Sequence, residues 1–342
     1  MSLTSHIKAG KNSPIGQFFL QRFPLTTNIT KEANRQLQSA TTITLPNDQP
    51  LPGWVYGTIG QAIDYRVRYS FAITPSYRLI AWYGAWKLMR LSDRRKLSNK
   101  IIESGGSGVL LPNDHTTEVS EDASLSYYSF EVVDGFFESL DTILTTIQPV
   151  GRKLTWEEER LLAPYCFVLG LFEEVFRTGQ SYRDWNGVLL TPAPRQSVEE
   201  LLALPKDAWI DDLCTLSMLF TERCSNYLGH HAILNPVFTG SNDVGGADAD
   251  LIIGGCLREL KAHIHPKLDA SWLRQLAGYL LLDYTDKYHI TDIGIYMVRQ
   301  GMTFTWSAKE FLGKLTGNEQ TSINTLRQEF QALFGTQTKR NR

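Results

Sequence analysis

Gly246-Ala-Asp248-Ala-Asp250-Leu-Ile-Ile-Gly254-Gly255-Cys-Leu-Arg-Glu259-Leu-Lys261 is the stretch from which the fold is read. Two apolar-rich runs flank a Gly-Gly pair. A two-residue Gly-Gly loop signals a β-hairpin, because a type I′ turn needs positive φ at both central residues. That turn pairs Ile253 with Cys256, Ile252 with Leu257 and Leu251 with Arg258. Continued outward, the register sets Asp250 against Glu259 and Asp248 against Lys261. Directly opposed residues share a face, as do residues two apart on one strand. Asp248, Asp250, Glu259 and Lys261 therefore project from one side of one hairpin. Like charges opposed across a sheet destabilise it. A divalent cation would relieve the repulsion between Asp250 and Glu259, and oxygen ligands are what Mg²⁺ prefers. The competing reading is a solvent-facing hairpin edge whose Asp–Glu repulsion is offset by Lys261.

The texture around the hairpin is that of short strands and glycine turns. Asn235 to Thr239, Ala247 to Ile253 and Cys256 to His263 read as strands. Asp269 is a suitable N-cap for a helix from Ala270 to Tyr284. On that helix Gln275 and Tyr279 stand at i, i+4, one turn apart on one face. Ile290 to Val298 and Met302 to Trp306 read as further strands. A last helix, Asn318 to Leu333, precedes a basic tail, Lys339-Arg-Asn-Arg342.

Upstream of Asn235 the pattern is helical. Residues 1–50 are rich in Asn, Thr and Gln and read as an irregular arm, followed by a turn at Leu51-Pro-Gly-Trp54. A helix is predicted from Tyr56 to Phe71. Another is predicted from Pro75 to Lys100, where Leu79, Trp82, Trp86 and Met89 recur at helical spacing. Ser104-Gly-Gly-Ser-Gly108 breaks the chain, and Val109 to Ser124 reads as a loop. Helices follow at Tyr127 to Ile147 and Thr155 to Arg177, the second opened by the capping-box pair Thr155 and Glu158. A connector, Gly179 to Pro205, leads to a helix from Lys206 to Tyr227.

The bulk numbers set the frame. The chain has 342 residues, 42% hydrophobic and 20% charged, enough for one large domain or two ordinary ones. No apolar run approaches the roughly 18 residues that suggest a transmembrane helix. The first residues lack the basic-then-apolar layout of a signal peptide, so no membrane and a cytoplasmic location are expected. Cys166, Cys214, Cys224 and Cys256 are scattered without a CxxC pair, which argues for buried thiols over a zinc site or a disulfide framework. The net charge of −2 conceals a segregation. From Arg66 to Lys100 nine basic residues stand against one acid, Asp93, whereas Ile101 to Val150 has nine acids and no Lys or Arg. Tyr69, Tyr77, Trp82, Tyr83 and Trp86 interleave with the basic residues. Basic and aromatic residues together suit a nucleic-acid backbone and its bases, with Arg90, Arg94, Arg95 and Lys96 the candidate phosphate contacts. A helix with a solvated basic face is the alternative.

The order acid, short hairpin, Glu-x-Lys, then Gln-xxx-Tyr on the next helix resembles the RecB-like branch of the PD-(D/E)xK nuclease superfamily. Ile293-Gly-Ile-Tyr296-Met-Val-Arg299-Gln-Gly301 is similar to the closing strand and turn of such cores. Tyr56-Gly-Thr-Ile-Gly60-Gln61-Ala-Ile-Asp64-Tyr-Arg66 is similar to the family's first core helix, with Gln61 where that helix often carries a His.

The resemblance implies an α/β fold, a restriction-endonuclease-like mixed β-sheet flanked by helices with a large helical insertion. It divides the chain into the arm (1–50), the first core helices (51–100), the insertion (101–230), the nuclease core (231–315) and a C-terminal helix with basic tail (316–342). It implies hydrolysis of DNA phosphodiesters, with RNA left open, by Asp250, Glu259 and Lys261. Mg²⁺, or Mn²⁺ in its stead, would be held by Asp250, Glu259 and the Leu260 carbonyl, with Asp64 a further acid. Gln275 and Tyr279, and with them Asp248, would brace the site or touch substrate. Some relatives hold an iron–sulfur cluster through cysteines flanking the core. No Cys follows Cys256, so none is expected. His263 and His265 alternate onto the face of Lys261, where a ligand role is weighed against an exposed or satisfied His, as it is for His230-His231. P-loop, GxSxG and strand-borne GxGxxG motifs are absent. The rival to an enzyme is a catalytically silent module of the same fold that binds nucleic acid or meets a protein partner through the insertion, whose apolar residues include Phe130, Phe136, Phe137 and Phe172.

Overall fold

The computed structural model of the chain describes residues 2–45, 53–103, 128–177, 189 and 195–335. They form two compact units, Met1–Ile43 with His230–Arg342, and Thr44–Gly229. The first is α/β and the second helical.

The α/β unit opens with helices α1 (Leu3–Ala9), α2 (Pro14–Arg22) and α3 (Thr26–Leu37). This corrects the expectation of an irregular arm over 1–50. Ser2 and Ser13 cap α1 and α2 by accepting from Ser5 N and Gly16 N, and Pro14 sits where no helical N–H is needed. Leu3, Ile7, Phe18, Phe19, Phe23, Ile29, Ala33 and Leu37 all enter the core of this unit. The apolar residues are few but correctly spaced, and tertiary burial stabilises helices that polar composition alone does not signal.

The helical unit contains α4 (Gly53–Tyr69), α5 (Ile80–Lys87), α6 (Leu91–Glu103), α7 (Phe130–Ile147), α8 (Trp156–Arg177), α9 (Val198–Leu202) and α10 (Asp207–Arg223). α8 is its centre, packed by α4, α5, α7, α9 and α10. The capping box forms as predicted: Glu158 N donates to Thr155 Oγ1 at 3.2 Å, and Thr155 N to Glu158 Oε2 at 2.8 Å. Arg66 on α4 forks onto Glu159 on α8, with both bonds at 2.7 Å and both side chains buried. Helices of 53–103 thus pack with those that follow, so the expected division near residue 100 is not where the units part. The single helix expected over 75–100 is broken between Lys87 and Leu91. There Arg94 donates to the carbonyls of Lys87 (2.6 Å) and Met89 (3.0 Å), satisfying groups that a continuous helix would bond itself. The predicted break at 104–108, the loop at 109–124, residues 179–188 and 190–194 of the connector, residues 51–52 of the turn and the tail at 339–342 lie outside the described residues.

At His230 the chain returns to the α/β unit. Strands β1 (Ala232–Leu234), β2 (Leu251–Ile253), β3 (Cys256–Lys261), β4 (Asp292–Met297) and β5 (Met302–Ser307) form one mixed sheet in the order β1-β2-β3-β4-β5. Neighbours are antiparallel except β3 and β4, which are parallel. A parallel pair needs a crossover, and α11 (Ala270–Leu282) supplies it, capped by Asp269 through Ser271 N at 2.7 Å. The last helix expected at 318–333 is α13 (Ile323–Gly335), and a further helix that was not expected, α12 (Ala308–Thr316), precedes it. The strand predicted over 235–239 is corrected to β1. Asn235 sits in the left-handed region at φ 46, and Pro236 has no N–H to give a ladder. No described helix is long and apolar enough to cross a membrane. All four cysteines are free, buried thiols.

Candidate active site

The hairpin forms in the predicted register, Ile253 with Cys256, Ile252 with Leu257 and Leu251 with Arg258. Gly254 and Gly255 have φ of 55° and 77°, the left-handed pair that a type I′ turn requires. Beyond Leu251 and Arg258 the ladder ends. The predicted main-chain pairings of Asp250 with Glu259 and of Asp248 with Lys261 are not made. Instead the Asp250 side chain crosses to β3, where its Oδ2 accepts from Leu260 N at 2.6 Å. Asp248 bridges the other way, to Val237.

Glu259 is 2% exposed. Its Oε2 accepts from Lys261 Nζ at 2.5 Å, and its Oε1 is buried with no hydrogen-bond partner among the described residues. Burial, and then the negative charges of Asp250 and Asp248, push its carboxyl up to about 7 against the pull of Lys261. Burial disfavours the Lys261 ammonium, but Glu259 and Asp250 outweigh it, and the lysine lies above its ordinary value. Lys261 is therefore charged at neutral pH.

α11 adds two side chains to the arrangement. Lys261 Nζ also donates to Gln275 Oε1 at 3.2 Å, and Gln275 Nε2 donates to Tyr279 Oη at 2.6 Å. Tyr279 is buried and stacked on Phe238, with ring centroids 5.4 Å apart. Its phenol is held well above the usual range by burial and by the Glu259, Asp250 and Asp248 carboxylates. Glu259, Lys261, Gln275 and Tyr279 thus form one hydrogen-bonded chain from strand to helix.

Asp64 is on α4 in the helical unit, ion-paired with Arg68. His263 and His265 are exposed and meet each other with ring centroids 5.3 Å apart, and His230 and His231 are exposed before β1. In the basic stretch Arg90 and Arg95 are exposed, Arg94 caps α5, and Lys96 pairs with Asp93 at 2.9 Å. Tyr69, Trp82 and Trp86 are buried, so they are core residues and not a stacking surface for bases. Trp272 was not singled out from sequence, yet its ring lies 5.9 Å from Lys261 Nζ and 5.7 Å from His263.

No group of three or more His, Cys, Asp or Glu among the described residues forms a metal cluster. The donors at the hairpin are two carboxylates, Asp250 and Glu259, together with main-chain and amide oxygens. They fit a divalent cation on two counts. Glu259 Oε1 is buried and lacks a donor among the described residues, and the charge of Asp250 raises the Glu259 carboxyl. A cation beside both would satisfy the first and relieve the second. No protein-family model, curated protein or solved structure matches the chain.

Proposed function

We propose that this chain is a metal-dependent nuclease of restriction-endonuclease-like fold that hydrolyses DNA phosphodiesters. The observation that carries the reading is the buried Glu259 Oε1, without a hydrogen-bond partner among the described residues, beside Asp250 and with Lys261 charged two residues along the same strand. An exposed hairpin edge would leave these groups in water and without need of one another. Asp250, Glu259 and the Leu260 carbonyl would hold Mg²⁺ or Mn²⁺, whose chemistry is to acidify a bound water and offset charge on the phosphate. Lys261 stabilises the charge that grows on the phosphoryl oxygens or orients the attacking water. Gln275 fixes the Lys261 ammonium, and Tyr279 fixes Gln275. Arg90 and Arg95, both exposed, are the candidate contacts to a nucleic-acid backbone.

The test is a plasmid and a labelled single strand incubated with Mg²⁺, Mn²⁺ or chelator, beside RNA of the same sequence. Metal-dependent cleavage that Asp250→Ala abolishes supports the reading. A wild type that cuts none of them hands the chain to the rival, a silent module that binds nucleic acid or assembles with a partner.

A further inference from the structure

We propose that Asn235 gives its side-chain oxygen to the same divalent cation as Asp250 and Glu259; the inference rests on the metal reading above and adds a residue to it. β1 pairs with β2 so that Ala232 meets Ile253 and Leu234 meets Leu251, and the same register continues through the Val237–Asp248 bridge. Asn235 therefore stands opposite Asp250, and its N–H donates to the Asp250 carbonyl at 3.1 Å. On the other side of Asp250 lies β3, reached by the Asp250 carboxylate at Leu260 N. Asn235, one residue past β1, and Glu259, on β3, lie on opposite sides of Asp250.

Each flanking side chain carries a buried oxygen without a hydrogen-bond partner among the described residues, Asn235 Oδ1 and Glu259 Oε1. One such atom is costly, and two beside the Asp250 carboxylate call for a common answer. A hydrogen-bond donor satisfies one oxygen at a time, whereas a hard divalent cation takes several, amide carbonyls included.

The segment is built to hold that amide still. Asn235 sits at φ 46, and Pro236 follows it. Phe238 stacks on Tyr279, and Tyr288 Oη donates to the Val237 carbonyl at 2.8 Å. A left-handed backbone alone is accounted for by any Asn or Gly. The buried oxygen is not, and this separates a ligand from a turn residue.

Mn²⁺ binding by isothermal titration calorimetry, and the melting temperature in chelator, test the assignment in wild type, Asn235→Gly, Asn235→Asp and Glu259→Ala. Glycine keeps the left-handed backbone and removes the oxygen, while aspartate keeps an oxygen and adds charge. Asn235→Gly is expected to melt with the wild type in chelator yet bind Mn²⁺ roughly tenfold to a hundredfold more weakly. Asn235→Asp is expected to bind at least as tightly as wild type. Should Asn235→Gly also lose stability in chelator, Asn235→Asp decides, tighter binding supporting the ligand and weaker binding overturning it. Wild-type affinity in Asn235→Gly, with binding lost in Glu259→Ala, overturns Asn235 and leaves the metal site standing. No binding by the wild type overturns both.

Discussion

Lys261 is held from two sides, by Glu259 at 2.5 Å and by Gln275 at 3.2 Å, and so points its charge without freedom to wander. A group positioned in this way acts on the transition state more than on the bound substrate, so its loss lowers turnover and spares affinity. Lys261→Ala is expected to bind nucleic acid and metal but cleave at least about a hundredfold more slowly. Cleavage rates set beside binding affinities check this, and an unchanged rate moves the site elsewhere. Glu259 adds a pH dependence of definite sign. Its carboxyl lies near 7 in the folded protein, against roughly 4.3 in an unfolded chain. In that window the metal-free folded state holds a proton that the unfolded state lacks. Stability therefore falls as pH rises through it, by on the order of 3 kcal/mol in full. Metal needs the carboxylate, so Mn²⁺ affinity falls as pH drops below 7 and binding releases a proton. Urea midpoints at pH 5 and pH 8, with chelator and with Mn²⁺, read both slopes, and Glu259→Gln flattens both.

At the scale of elements the site depends on how closely α11 is seated. Gly278 lies one residue before Tyr279, and a Cβ there would come within 2.8 Å of Leu3 Cδ2 and 3.2 Å of Phe19 Cζ. Both partners are buried, so α1 and α2 set the height of the helix that braces Lys261. Gly278→Val is expected to cost about 1–3 kcal/mol by overpacking, read as a lower urea midpoint, and to slow cleavage by moving Gln275. The element that matters most was legible in the sequence, because Gly254-Gly255 permits little but a tight hairpin. The end of its ladder was not legible, since a side chain, Asp250, takes the bond to Leu260 N that a backbone carbonyl would have taken. α12 could have been read: Ser307 and Glu310 have capping-box spacing, and Ser307 Oγ accepts from Glu310 N at 3.2 Å. α1 to α3 were hidden because their apolar residues are sparse in a polar stretch and find their meaning only against the sheet. Asn235 was hidden for another reason. An unsatisfied buried oxygen is a property of packing and has no signature in a string of letters.

At the scale of the whole molecule the charge segregation divides into two kinds of cation. Arg66, Arg68, Arg94 and Lys100 are spent inside the helical unit, on Glu159, Asp64, backbone carbonyls, and Asp134 with Glu138. Arg90 and Arg95 remain exposed in the short span around the break between α5 and α6. A basic count along the sequence treats all of these alike, whereas only an exposed cation can trade counterions with a phosphate. The two kinds predict opposite behaviour. Arg66→Ala leaves Glu159 buried and uncompensated, and is expected to destabilise the fold by about 3–5 kcal/mol. Arg90→Ala with Arg95→Ala is expected to leave the melting temperature alone. If these residues meet the backbone, the pair weakens binding to all sequences alike and lowers the slope of log affinity against log salt by about one to two. Fluorescence anisotropy of a labelled oligonucleotide across a salt series gives that slope. An unchanged slope assigns both arginines to a solvated face and moves the phosphate contacts to another surface.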